Sequence, residues 1–177
     1  MRLNDEVLNY NHVEELFGNF SVIELPYIGN ASMVVILPDE IDGLYNIEQN
    51  ITDDYFNNLC KNLIPAFVDV SLPKFKVSGN YNLINILSKL GLEDVFNSKG
   101  DFSNMYDSTI NIDEFIHKTY IDVSEKYTEA AAATCMLMSD CGRTKVFCVN
   151  HPFMYVIKDT SNKILFVGRL VYPTSDN

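Results

Sequence analysis

From Phe115 to Val123 the chain alternates, with Phe115, His117, Thr119, Ile121 and Val123 on one face and Ile116, Lys118, Tyr120 and Asp122 on the other. That is the two-residue period of a β-strand. The strand leads directly into Glu125-Lys126-Tyr127-Thr128-Glu129-Ala130-Ala131-Ala132-Ala133-Thr134, and then into Leu137-Met138-Ser139-Asp140-Cys141. Local chemistry allows two forms for the alanine run. It can open a helix, since Thr caps, Glu suits the N-terminal dipole and Ala is the best helix former. It can instead be a tether of small side chains between strands. The downstream flank favours the tether, because Phe147 to Ile157 and Lys163 to Arg169 are apolar strands joined by the polar turn Lys158 to Asn162, a hairpin signal.

Elsewhere, Asn19 to Leu25, Ala31 to Leu37, Phe67 to Val77, Val146 to Ile157 and Lys163 to Val171 read as strands separated by turn residues. Thr52-Asp53-Asp54 caps a short helix through Leu63, which Pro65 ends. Asn80 to Leu90 carries Leu83, Ile84, Ile86, Leu87 and Leu90 at helical spacing before Gly91 stops it. No repeat, low-complexity tract or composition break marks a linker. The expected architecture is α+β with antiparallel sheets, one domain or one part of a domain.

A net charge of -11 argues against nucleic acid or an anionic membrane surface as partner, because phosphate binding needs a basic face. Apolar runs such as Ser32 to Pro38 fall far short of the roughly 20 residues that span a bilayer. Met1 to Glu6 lacks the apolar run of a secretion signal, so a cytosolic chain is expected, with the glycosylation-type triplets at Asn19, Asn30 and Asn50 as chance matches. Cys60, Cys135, Cys141 and Cys148 lack metal-site or disulfide-framework spacing, and reduced thiols are expected. No metal or cofactor is implied. His12, His117 and His151 have no nucleophile motif beside them, and no phosphate loop or Gly-x-Ser-x-Gly elbow occurs. An enzyme is not expected.

Several tags occur in an order that resembles the serpin family: Glu24-Leu25-Pro26-Tyr27, Met33 to Glu40, Leu72-Pro73-Lys74-Phe75, Leu90-Gly91-Leu92 before Val95-Phe96, Ile116-His117-Lys118, the alanine hinge, and His151-Pro152-Phe153 before Gly168-Arg169. Within that family the loop is similar to those of the poxviral cross-class inhibitors of the cytokine response modifier A type. The resemblance implies the C-terminal half of a serpin fold over residues 1–177, since a whole serpin is about twice this length. The usual N-terminal half would lie upstream, and of the large central sheet only the strands around Lys74 and His117 would be present.

The same resemblance assigns roles. Residues of about 126–146 would form the reactive-centre loop, with Glu125, Thr128, Glu129, Ala130, Ala131, Ala132, Ala133 and Thr134 as its hinge. By the strand period Thr128, Ala130, Ala132 and Thr134 would share one side. Asp140 and Cys141 would flank the cleaved bond, and Leu137, Met138 and Ser139 would fill the protease's upstream subsites. Lys74 would pair with Glu125, and His117 would act as a structural latch to groups lying upstream, unsatisfied here if buried. The usual spacing from Thr128 makes Cys141 the attacked residue, whereas the shorter loop of the cytokine response modifier A type makes it Asp140. We favour Asp140, because a pocket that demands Asp gives strong selectivity. Tyr127 stands where the family usually has Gly. The implied partners are a caspase-type cysteine protease or granzyme B, and a separate N-terminal serpin half. Two readings follow, a protease inhibitor that suppresses host apoptosis or inflammation, and a truncated non-inhibitory remnant that serves as substrate or decoy.

Overall fold

Met33-Val34-Val35-Ile36-Leu37 is apolar without interruption and buried on both faces, a pattern only a mid-sheet strand can satisfy. In the computed structural model, which describes residues 1–97, 99–104, 112–124 and 144–172, that run is a central strand. The elements are β1 (Arg2–Val13), β2 (Phe20–Pro26), β3 (Ala31–Pro38), α1 (Leu44–Asn50), α2 (Asp53–Lys61), β4 (Ile64–Ser71), β5 (Phe75–Asn82), α3 (Ile84–Lys89), a 3-10 turn at Asp94–Phe96, β6 (Ile116–Val123), β7 (Lys145–Cys148), β8 (Phe153–Asp159) and β9 (Ile164–Leu170). They fall into two units, Met1–Phe75 with Ser124–Asn177, and Lys76–Val123.

The first unit holds a sheet of order β7-β4-β1-β2-β3-β8-β9. On one face Phe20, Val22, Val34, Ile36 and Val156 pack with Ile47 of α1 and with Phe56 and Leu59 of α2. The next residues along β8, Phe153 and Tyr155, point the other way and meet Phe75 with ring centroids 5.7 and 5.4 Å away. Thr52 caps α2 by accepting from the Tyr55 amide at 3.2 Å. Asp53 and Asp54 in the first turn and Lys61 in the last complement the helix dipole.

Tyr155 lies directly across from Gly168, close enough that a Cβ there would overlap its hydroxyl and ring. Tyr155 is 2% exposed and has no room to retreat. Gly168→Ala is therefore expected to cost about 1 to 3 kcal/mol, the usual penalty for overpacking. A urea melt checks this. An unchanged midpoint would mean the ring swings aside freely.

The same sheet carries one charged pair inside. Lys158 Nζ lies 2.7 Å from Glu24 Oε1 and donates to Asn162 Oδ1 at 2.9 Å. Ser32 Oγ donates to Glu24 Oε1 at 2.7 Å and Asn9 Nδ2 to Oε2 at 3.0 Å. Burial pushes the Glu24 carboxyl up, but the hydrogen bonds from Lys158, Asn9 and Ser32 and the Lys158 charge outweigh it, leaving its pKa below the ordinary carboxylate value.

The second unit consists of the β5-β6 pair, α3 and the 3-10 turn. None of its described residues is buried. Phe96 and Phe115 meet edge to face at 6.0 Å, and Lys76 pairs with Asp122 at 3.2 Å. A two-stranded sheet of this kind has little independent stability.

Several expectations need correction. Phe67 to Val77 is two strands, β4 and β5, because Pro73 has no amide to donate and interrupts the ladder. Val146 to Ile157 is likewise β7 and β8, divided before Pro152. The helix expected from Asn80 begins at Ile84, since Asn82 remains in β5 and its side-chain oxygen accepts from the Ile84 amide at 3.2 Å. Strand β1, α1 and the 3-10 turn were not foreseen. Nor are the sheets wholly antiparallel. Strand β4 pairs in parallel with β7, Val68 opposite Lys145 and Ser71 opposite Cys148.

Candidate functional site

The two strands that bracket the alanine run and Asp140 are both described. Strand β6 ends at Val123, followed by Ser124, and Thr144 stands one residue before β7. The hinge residues Glu125, Thr128, Glu129, Ala130, Ala131, Ala132, Ala133 and Thr134, the subsite residues Leu137, Met138 and Ser139, and the bond between Asp140 and Cys141 lie outside the described residues. Lys145 and Val146, at the far end of the expected loop, lie in β7.

The anchor at that end was missed by sequence reasoning. Thr144 Oγ1 donates to Asp5 Oδ1 at 3.0 Å, and the Asp5 amide donates to Asp69 Oδ1 at 2.8 Å. Asp5 has φ 55 and sits where the pairing of β1 with β4 shifts register between Leu3 and Glu6. A bulge leaves ladder groups unpaired locally, and Asp tolerates the left-handed conformation better than most residues. Asp5 thus holds the end of the segment to β1 through its side chain and is itself held to β4 through its amide.

At the other end, Tyr120 Oη donates to Asp122 Oδ2 at 3.4 Å, and Asp122 also holds Lys76, tying β6 to β5. His117 is exposed on β6, so the burial penalty considered for it does not arise. Lys74 is exposed in the short link between β4 and β5, and its expected partner Glu125 lies outside the described residues. Lys74 immediately precedes β5, and His117 is the second residue of β6.

His151 behaves as a structural group. Its Nε2 lies 2.7 Å from the Pro38 carbonyl and its Nδ1 2.8 Å from Asn150 Oδ1, which fixes the turn between β7 and β8 against the end of β3. Burial pushes the Cys60 thiol up to about 11, so it is not a nucleophile at neutral pH. Among the described residues no cluster of three or more His, Cys, Asp or Glu side chains is placed to hold a metal ion. No helix among them is long and apolar enough to cross a membrane.

Comparison with known proteins gives a consistent result. The family described as "Serpin (serine protease inhibitor)" matches residues 1–173. Serine proteinase inhibitor 2 of cowpox virus (strain Brighton Red) is 57% identical over 178 residues, covering 99% of this chain and 52% of that protein. A vaccinia virus (strain Copenhagen) protein called "Putative serine proteinase inhibitor 2 homolog second part" is also 57% identical, with 99% and 80% covered. The solved cleaved form of the viral serpin CrmA superposes with a TM-score of 0.63 at 57% identity, over 71% of this chain and 42% of that one. The chain spans about half the length of the curated full-length relatives it matches.

Proposed function

Because the chain belongs to the serpin family, we propose that the segment strung between β6 and β7 is a protease bait whose attacked residue is Asp140. The observation that carries this is the Leu137-Met138-Ser139-Asp140-Cys141 sequence between two strands each tied to a neighbour, in a chain 57% identical to a poxviral serine proteinase inhibitor. A protease nucleophile attacks the Asp140 carbonyl, the Cys141 amine departs with a proton from the protease's general acid, and the segment ending at Asp140 stays acyl-linked to the protease, as an ester to a serine or a thioester to a cysteine. Asp selectivity points to caspases or granzyme B, met in the cytosol of the host cell. Leu137, Met138 and Ser139 fill the upstream subsites. Suppression of apoptosis or inflammation is the outcome in an infected cell.

By the family's mechanism the freed segment then enters the sheet beside β6 and distorts the attached protease. From Thr128 to Asp140 the chain reaches roughly 40 Å at about 3.3 Å per residue, enough to run along a sheet. The alanines present no bulk to the strands on either side. Stored conformational energy is what such a device spends.

A second reading is favoured by one observation, the β5-β6 sheet of two strands in a chain of half the family length. Insertion needs a strand on each side. With the N-terminal half supplied, the chain inhibits; without it, the chain is a substrate or decoy. Incubation with an inflammatory caspase or granzyme B, followed by N-terminal sequencing, tests the bait itself, and the expected new terminus is Cys141. Cleavage elsewhere, or none, overturns the proposal. A complex that survives denaturing electrophoresis marks the inhibitor, and complete conversion to two fragments marks the decoy.

A further inference from the structure

We infer that the Asp42–Gly43 bond is a processing site, cut by an Asp-directed cysteine protease whose upstream subsites are basic. The segment Asp39-Glu40-Ile41-Asp42-Gly43 links β3 to α1. Asp39, Glu40, Ile41 and Asp42 are all exposed, Ile41 by 72%, and exposed links of this kind are where chains are nicked. Such a protease selects its substrate by the Asp before the bond. The residue after the bond passes close to the catalytic cysteine, where glycine offers no obstruction. Among the described residues Asp42 is the only aspartate followed by Gly, Ala or Ser.

Exposure alone does not admit a protease, because a bound substrate runs extended and residues 41–43 form a turn. The turn is lightly held. The Gly43 amide donates to the Glu40 carbonyl at 3.0 Å, and the Ile47 amide to the Gly43 carbonyl at 3.3 Å. Helix α1, seven residues long, begins without a side-chain cap and without an acidic residue in its first turn, so that turn opens readily. Upstream, Asp39 is held by His12 at 2.9 Å in an exposed pair, whose loss costs little. The main resistance is Leu44, 5% exposed, which must leave the core when the bond is drawn into a cleft. Cleavage tracks the open population, so this burial slows the cut about 10- to 100-fold relative to an unstructured peptide of the same sequence.

In the cleft the protease's cysteine thiolate attacks the Asp42 carbonyl carbon, and the Gly43 nitrogen leaves as an amine with a proton from the protease's histidine. Water then hydrolyses the thioester, returning the thiol and leaving a carboxylate on Asp42. The upstream residues choose the protease. Asp39 and Glu40 call for cationic subsites, whereas Leu137, Met138 and Ser139 before Asp140 are uncharged, so the two segments select different enzymes. The cut does not part the pieces. Strand β3 keeps β2 and β8 on either side, and Ile47, Phe56 and Leu59 of the downstream piece still pack with Val34 and Ile36. It does place a free ammonium on Gly43 at the positive end of the α1 dipole, and it removes the covalent link between β3 and the helices. The cut chain is weakened at that face, which makes the segment an off-switch independent of the bait.

The test uses the full 177-residue chain carrying Asp140→Asn, so that a cut before Cys141 does not contribute. The probe is a caspase that turns over a peptide copying residues 39–42 faster than one copying residues 137–140. The expected new N-terminus is Gly43, at a kcat/KM about 10- to 100-fold below that of a free peptide copying residues 38–44. Adding Asp42→Ala is expected to lower the chain's value about 1000-fold, while Asp94→Ala, at another exposed turn, leaves it within about twofold. Both side chains are exposed, so the melt of each variant should match the parent. The cut chain is expected to run as one particle on gel filtration and to unfold at lower urea than the uncut chain. No terminus at Gly43 under conditions that consume the peptide, a cut indifferent to Asp42→Ala, or an unchanged urea midpoint after cutting would each overturn the inference. None of these outcomes bears on cleavage at Asp140, which is read on the unsubstituted chain with the protease that takes the bait.

Discussion

Asp140→Asn is expected to abolish cleavage before Cys141, lowering kcat/KM for an Asp-directed protease by about 10⁴-fold or more. The substitution keeps the size and shape of the side chain and removes only its charge. A pocket built around a carboxylate then holds its own cationic donors buried and unpaired, and that mismatch, not any steric change, produces the discrimination. Cys141→Ala is the informative companion. If Asp140 is attacked, Cys141 is the residue after the bond, and shortening it should leave kcat/KM within about tenfold. If the usual family spacing holds instead, Cys141→Ala changes the attacked residue and Asp140→Asn has little effect. The pair of variants thus separates the two registers that the loop sequence leaves open.

What the sequence made legible, and what it did not, divides along physical lines. Strands β2, β3, β6 and β9 were readable because alternation or unbroken apolar runs reflect burial that each strand experiences along its own length. The turn from Lys158 to Asn162 was readable too: Asp159 Oδ1 accepts from the Ser161 and Lys163 amides at 2.8 and 2.9 Å, and Asn162 takes φ 64, which are local events. Strand β1 was not. Its Arg2 to Val13 stretch is mostly polar, with only Leu3 and Leu8 buried, and it is a strand because β2 and β4 flank it. The parallel pairing of β4 with β7 joins segments far apart in sequence and leaves no local trace. The same limit hid Asp5, whose link to Thr144 spans nearly the whole chain, and the Glu24–Lys158 pair. For the proposed bait, the contacts beside its two ends, Thr144 with Asp5 and Asp122 with Lys76, left no local trace, because they are made by partners distant in sequence.

Removing Lys158 should be the most damaging single change in the first unit. Its residue is 6% exposed, and its ammonium contacts Glu24 Oε1 at 2.7 Å. Lys158→Met keeps the apolar stem and deletes the charge, leaving the Glu24 carboxylate with only the Ser32 and Asn9 donors in a largely buried place. An uncompensated buried charge costs about 3 to 5 kcal/mol, and the partial exposure of Glu24 puts the expectation at the lower end. Combining it with Glu24→Gln removes both charges and should recover most of that loss, because the pair itself is close to neutral against uncharged replacements. The pH dependence gives the sign. In the parent chain the Glu24 pKa is lowered from 4.5, so its contribution is complete above that value and is lost as pH falls through the lower folded pKa. In Lys158→Met the cation is gone and burial dominates, which moves the same carboxyl upward. Protonation then relieves the variant while it harms the parent, and the gap between their urea midpoints should narrow as pH is taken from 7 toward 4. A gap that stays constant over that range would mean that Glu24 is not the group Lys158 neutralises.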